Sequence, residues 1–423
     1  MLKQSVLPFK LETTEDVLTP HGGLALFGEF CAAMKLKEEI NRHLPPPGSG
    51  KGFRPGVYVQ PLVLMLHGGG RSLEDVRMLA GDDGLKPLLG MRVPSPDGIG
   101  DWLRRMGDRK GLSGLRMVHK KQLKWALKRE DTKDYTLDID ATQIVAGKHD
   151  AHVTYKGEKG YMPMVGHLAE NGLVVHDEFR EGNEAPASRN LAFIKACRGN
   201  MPRGKRIACL RADSATYQAD VINDCEDRHV FFAIGAKQDA AVKAAIAVIP
   251  ESDWLPYRDG KIASTVHCMN NTQAFTLVVF RRSRQLSLGE EGAEWFYHAI
   301  ATNLMDDAAA VMDWYRLRGE YSENRIKELK LGFGMERMPC GQFAANAVFF
   351  RIGVMAYNLF VMFKTYALPE AWNTHQVQTV RWRLYQIAAH VTRHARSLWL
   401  QVSHAHIALF RDIRLRCASL ASC

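Results

Sequence analysis

The stretch "YTLDIDATQIVA", residues 135–146, alternates apolar and polar side chains with several β-branched residues, the pattern of a strand. On such a strand Asp138 and Asp140, two apart, share one face. "GYMPMVGHLAENGLVVHDEFR" (160–180) predicts two further strands joined at Glu-Asn-Gly, a good hairpin turn. Then come a helix in "PASRNLAFIKACRG" (186–199), a buried strand in "KRIACLRADS" (205–214), a helix in "ATYQADVINDCED" (215–227) and a strand in "HVFFAIGA" (229–236). Hairpin-linked strands followed by alternating helix and strand predict a mixed α/β sheet, not a repeating doubly wound one.

That order is the order of an RNase H-like fold, so the fold class expected is α/β: an RNase H-like mixed sheet flanked by helices. Residues 1–130 predict an N-terminal helical region. One amphipathic helix, "GGLALFGEFCAAMKLKEEINRHL", ends at the Pro/Gly-rich "PPPGSGKGFRPG", and in "VPSPDGIGDWLRRM" Ser95 or Asp97 offers a cap. Several short helices with a basic end suit a helix-turn-helix type DNA reader, as they suit any small helical domain. The catalytic core would begin at 131–236. Residues 237–303 return to strands ("KIASTVHCM", "AFTLVVFRR", "WFYHAIATNL") and predict an inserted β-rich subdomain. A helix over about 306–331 opens the last part of the core, 304–365. A basic C-terminal region, 366–423, is expected to stay helical past the break at Pro369.

With 423 residues and 46% apolar side chains the chain can bury a large core. A formal charge of +10 favours a polyanionic partner. Ten Lys or Arg face two acids between Arg104 and Glu130, and seven Arg face one acid between Ala371 and Arg416. Basic stretches at both ends suit DNA. Eight scattered cysteines without CxxC spacing predict reduced thiols, and no signal-type N-terminus or uninterrupted membrane span is seen; "AVFFRIGVMAYNLFVMF" is broken by Arg351 and Asn358. The expectation is a cytoplasmic protein with no membrane partner. "HGGGRS" lacks the GK[ST] of a P-loop, and His390, His394, His404 and His406 lack companion acids for a metal, reading instead as helix-face or DNA-proximal residues.

Two acids stand where strands end, Asp140 in "LDIDAT" and Asp213 in "LRADSAT". Each alone is an ordinary strand-end or capping Asp. On neighbouring strands their repulsion calls for a cation, and a hard divalent ion meets that need. In "WYRLRGEYSENRIKELK" (314–330), Glu323, Lys327 and Lys330 share a helix face, with Glu320 as a rival carboxylate and surface ion pairing as the plain alternative.

The ordered set "LDIDAT", "LRADSAT" and "YRLRGEYSENRIKELK" resembles the DDE-type transposases of bacterial insertion sequences, in the branch with a Tyr-Arg-Glu-Lys signature. "EFREGNEAP", "AYNLF" and "RHARSLWL" extend the resemblance over most of residues 20–405. It selects Asp140 over Asp138 through the Asp-x-Thr pattern with Thr142, and Glu323 over Glu320 through the Glu-Asn pair. It thus implies Asp140, Asp213 and Glu323 as catalytic metal ligands, with Tyr315, Arg318, Lys327 and Lys330 toward DNA. Four residues separate Arg318 from Glu323 where the signature has three. The resemblance further implies two Mg²⁺ ions (Mn²⁺ as substitute), double-stranded DNA with terminal inverted repeats plus a target, and a homodimer in a synaptic complex. A nuclease of this fold without strand transfer and a catalytically decayed DNA-binding regulator are the competing expectations.

Overall fold

The computed structural model describes residues 10–284 and 294–421. Five strands form the centre: β1 (Asp134–Ala141), β2 (Met164–Leu168), β3 (Val174–Glu178), β4 (Arg206–Ala212) and β5 (Phe231–Gly235). β1, β4 and β5 run parallel. β2 and β3 add antiparallel on the other side of β1. The order β3-β2-β1-β4-β5 is the RNase H-like arrangement expected from the sequence. In β1 Tyr135–Ile139 are all buried, so the alternation seen in the sequence does not mark a wet face. Of its polar positions, Asp138 is held by Arg211 of β4 and the Thr136 N–H donates to Glu170.

The β2–β3 turn closes on Gly172, whose φ of +80° favours glycine. A Cβ there would meet the Arg325 side chain 3.1 Å away. Arg325 uses that space to donate to the carbonyls of Leu168 (3.0 Å) and Ala169 (2.7 Å), tying a later helix to this turn.

β6 (Leu255–Tyr257), β7 (Gly260–His267), β8 (Phe275–Arg284) and β9 (Glu294–Thr302) follow as antiparallel neighbours. They continue the central sheet, because β9 pairs with β5, Ile300 opposite Gly235 and Thr302 opposite Ala233. The result is one nine-stranded sheet. The insertion thereby pairs the N–H and C=O groups that β5 would otherwise expose as an edge. A small three-stranded sheet over residues 144–161 fills the β1–β2 connection. Its strands have two or three residues each, too few for a visible periodicity.

The helices of nine or more residues are α1 (Gly22–Ala33), α2 (Gly56–Gly68), α3 (Pro96–Met106), α4 (Arg109–Leu127), α5 (Asn190–Asn200), α6 (Ala219–Asp227), α7 (Ala308–Lys327), α8 (Phe343–Tyr366) and α9 (His404–Ala421). The single helix expected near the N-terminus is two, α1 and Leu36–His43, separated where Lys35 takes a left-handed φ of 53°. Ser95 caps α3 by accepting from the Gly98 N–H.

α8 is the apolar run that resembled a membrane span, and it is the central core helix, buried from Ala345 to Phe363. Its two polar interruptions anchor it. The Arg351 Nε donates to Asp177 Oδ2 at 2.7 Å, and the Asn358 side chain accepts from the Val174 N–H at 2.9 Å. Residues of α1 to α4, α8 and the sheet share one continuous hydrophobic cluster.

The C-terminal region departs from the expected helix. After a buried Arg381, which donates to the carbonyls of His67 and Leu66 at the end of α2, the chain forms a hairpin, β10 (Ala389–His394) and β11 (Ser397–Gln401). β10 pairs with Leu18–Thr19. His390 and His394 are therefore strand residues, and helix resumes only at α9. Val391, a β-branched residue between those two histidines, is buried on this small sheet and favours the strand.

Candidate active site

The parallel register of β1 and β4 sets Ile139 beside Ala212. Asp140 and Asp213 come next in each chain, so the two carboxylates leave the same end of adjacent strands, about 5 Å apart in backbone spacing. Asp213 Oδ1 accepts the Ala215 N–H at 3.0 Å and so caps the turn that follows. Asp140 is 22% exposed. Burial, opposed by the Arg318 guanidinium and reinforced by the negative charge of Asp213, pushes its carboxyl up to about 6. Arg318 Nη1 stands 3.5 Å from Asp140 Oδ2.

The neighbouring acid has a different task. Asp138 is fully buried and receives Arg211 in a two-pronged pair, Nε to Oδ1 at 2.8 Å and Nη2 to Oδ2 at 2.9 Å. Arg211 Nη1 also donates to the Trp314 carbonyl at 2.7 Å. This cluster clamps α7 onto the sheet beside the two strand-end acids. Sequence reasoning missed Arg211, although it precedes Asp213 by two residues as Asp138 precedes Asp140, and that shared parity was its signal.

α7 starts at Asp307, whose side chain accepts from the Ala309 N–H. Among its described residues Val311, Met312, Tyr315, Ser322 and Ile326 are buried, with Arg318 between Tyr315 and Ser322. Tyr315 closes over β5, where a Cβ on Gly235 would stand 3.0 Å from the phenol oxygen; glycine makes room. At 3.6 residues per turn, the residue four beyond Arg318 faces the same way. That residue is Ser322, with no solvent exposure. Glu323, one further on, is turned about 100° away and is exposed. The extra residue noted in the sequence thus has a direct geometric effect.

Glu323 still reaches the site's rim. It lines a cleft of about 340 Å³ together with Asp140, Thr142, Lys327, Lys330 and Glu336. Lys327 is exposed there, whereas Lys330 Nζ donates to the Gln143 carbonyl at 2.7 Å. Tyr315 and Arg318 face the strand-end acids instead of the outer surface. The structure therefore brings Asp140 beside Asp213, and Asp140 and Glu323 onto one cleft. It does not gather all of them on one point: among the described residues no group of three His, Cys, Asp or Glu side chains is placed to hold a metal.

The Asp140–Asp213 pair itself fits a divalent cation. It offers hard oxygen donors at strand ends, on an Asp140 carboxyl whose charge is disfavoured first by burial and then by the neighbouring Asp213.

A consequence for stability follows from Asp140. Its carboxyl titrates at about 6 in the fold against about 3.9 in an unfolded chain, so the folded state holds the proton more tightly. Without divalent ions, stability therefore falls as pH rises through that window, and the cost is complete above it. Asp140→Asn is expected to stabilise the metal-free protein at pH 7 by about 1–3 kcal/mol and to give no gain at pH 4. Denaturant unfolding at both pH values checks this; an equal difference at the two would contradict it.

Three comparisons bear on this geometry. No curated protein matches the chain. Among solved structures, a piggyBac transposase synaptic complex with hairpin DNA is similar at 12% sequence identity and a TM-score of 0.49, covering 97% of this chain and 83% of that one. The family described as Transposase DDE domain group 1 matches residues 6–420. A match over nearly the whole length, on a chain whose parallel strands end in paired aspartates, places this protein in the DDE-domain transposases.

Proposed function

We propose that this transposase binds the terminal inverted repeats of a bacterial insertion sequence, cuts there and joins the freed ends to a target. The observation that carries the reading is the pairing of Asp140 and Asp213 at adjacent strand ends, with Asp140 on the cleft that Glu323 lines. In this reading Asp140 and Asp213 hold divalent ions, Mg²⁺ or Mn²⁺, and Glu323 supplies the third carboxylate. When bound, such ions activate the attacking oxygen and stabilise the leaving one.

The chain's own residues do the rest. Arg318 balances the paired acids before an ion and a phosphate arrive. Lys327, exposed on the rim, offers a cation to the DNA backbone. Lys330 releases the Gln143 carbonyl to do the same. Turning Glu323 inward needs a slip of one residue in α7 between Arg318 and Glu323. The same helix already runs into a π-helical turn at Glu328–Gly332, so wider turns are tolerated here. Two copies would work together, one on each end of the element, on the nucleoid in the cytoplasm.

The test uses a duplex carrying the repeats that flank the gene, with Mg²⁺ and a target plasmid. Nicks at the repeat ends followed by joined products are expected. Nicks without joining would mark a nuclease. One observation favours another reading: Ser322 holds the inward position that the signature gives to its carboxylate. A chain fixed in that state would bind the repeats and leave them uncut.

A further inference from the structure

We infer that the hairpin β10–β11 is an arm that grips the phosphate backbone of the DNA leading away from the acid cleft. This rests on the reading above that the chain acts on DNA.

The hairpin, "AHVTRHARSLWLQ" over 389–401, contains Arg393, Arg396, His390 and His394 and no acid. Among the described residues its ion pair is His390 with Asp16, 3.4 Å apart at the hairpin's root. Among the described residues no ion pair holds Arg393 or Arg396, which lie toward the tip. His394 pairs with Ser397, which leaves a two-residue turn of Ala395 and Arg396 with φ of 47° and 62°. Such a turn favours Asn-Gly, since a Cβ is strained in the left-handed region. The chain instead carries a cation at the outermost position.

The two faces of the hairpin differ. Ala389 and Val391 pack inward, while Trp399, 58% exposed, lies opposite Thr392 on the outer face. Trp399 shares its face with His390, Thr392 and His394, while Arg393 leaves the other face near the tip and Arg396 stands in the turn. An exposed ring and cations at the end of one hairpin suit a nucleic acid, where the ring stacks on a base or sugar and the cations take phosphates. Three neighbouring cavities that share lining residues, the acid cleft among them, stand between Asp140 and the hairpin's root. Glu336 lines both the acid cleft and a neighbouring cavity. Arg71 and Arg337 line that cavity and a further one, which reaches His21 and Gln386. Leu18–Thr19, just before His21, is the strand paired with β10. DNA with its reacting phosphate at Asp140 can follow this path to the arm.

The experiment measures fluorescence anisotropy of a labelled duplex of about 30 base pairs across a KCl series, because backbone contacts are counted by the salt slope. Arg393→Ala/Arg396→Ala/Trp399→Ala is expected to weaken binding by about tenfold or more and to lower the slope by about two. Ala395→Asn/Arg396→Gly gives the turn its favoured residues while removing the tip cation. It is expected to keep or raise the melting temperature, yet weaken binding about threefold and lower the slope by about one. That opposite movement separates contact with DNA from support of the fold. Wild-type affinity and slope in both variants would overturn the arm alone, with cleavage chemistry unaffected. Failure of the unaltered protein to bind any duplex would overturn the arm together with the DNA reading.

Discussion

Asp138→Ala is expected to destabilise the fold by about 3–5 kcal/mol, the cost of leaving a buried guanidinium without its partner. Asp138 has no solvent exposure and Arg211 almost none, so water cannot replace the lost carboxylate. The same substitution frees α7, because Arg211 also holds the Trp314 carbonyl. Cleavage should therefore fall along with stability, even though Asp138 touches no reacting group. Denaturant midpoints at pH 7 measure the effect. A loss below about 1 kcal/mol would show that the pair is hydrated and that the clamp lies elsewhere. Asp138→Ala/Arg211→Met, which removes both charges, should recover a large part of the stability.

Asp140→Asn and Asp213→Asn are expected to lower DNA cleavage by about 10³-fold or more while duplex affinity stays within about threefold. Each removes a hard oxygen from the position where charge accumulates. Neither removes a cation that could meet a phosphate. Glu323→Gln should act in the same direction if α7 turns that carboxylate inward. Initial rates on an end-labelled duplex, with binding measured in parallel, decide the matter. Unchanged cleavage in either aspartate variant would remove that residue from the site.

The sheet was largely legible from residues because its central strands are long enough to show a period and end in turn-forming residues. The helix Ala308–Lys327 and the strands 260–302 were legible on the same grounds. What escaped has identifiable physical causes. The three-stranded sheet at 144–161 has strands too short for any pattern. The C-terminal hairpin turns on Ala395 and Arg396, which carry no turn signature. That the inserted strands continue the central sheet depends on the pairing of β9 with β5, a contact no local pattern encodes.

At the site, the strand-end positions of Asp140 and Asp213 could be read from "DIDAT" and "RADS". The orientation of Glu323 could not be read from composition, though the interval of four residues after Arg318 was its trace. One residue is about 100° on a helix, enough to exchange Glu323 for Ser322 on the inward face. The tasks of Arg211 and Arg325 depend on contacts between distant segments and were out of reach.

Asp140 and Asp213, joined by Glu323, are expected to form a divalent metal site. A crystal of the protein with its DNA ends and Mn²⁺, measured for anomalous scattering at the manganese edge, tests it most directly. The expected result is a peak between the carboxylates of Asp140 and Asp213, with the Glu323 carboxylate turned in as a ligand and Arg318 displaced. DNA bound with no peak at the aspartate pair and Arg318 still against Asp140 would contradict it.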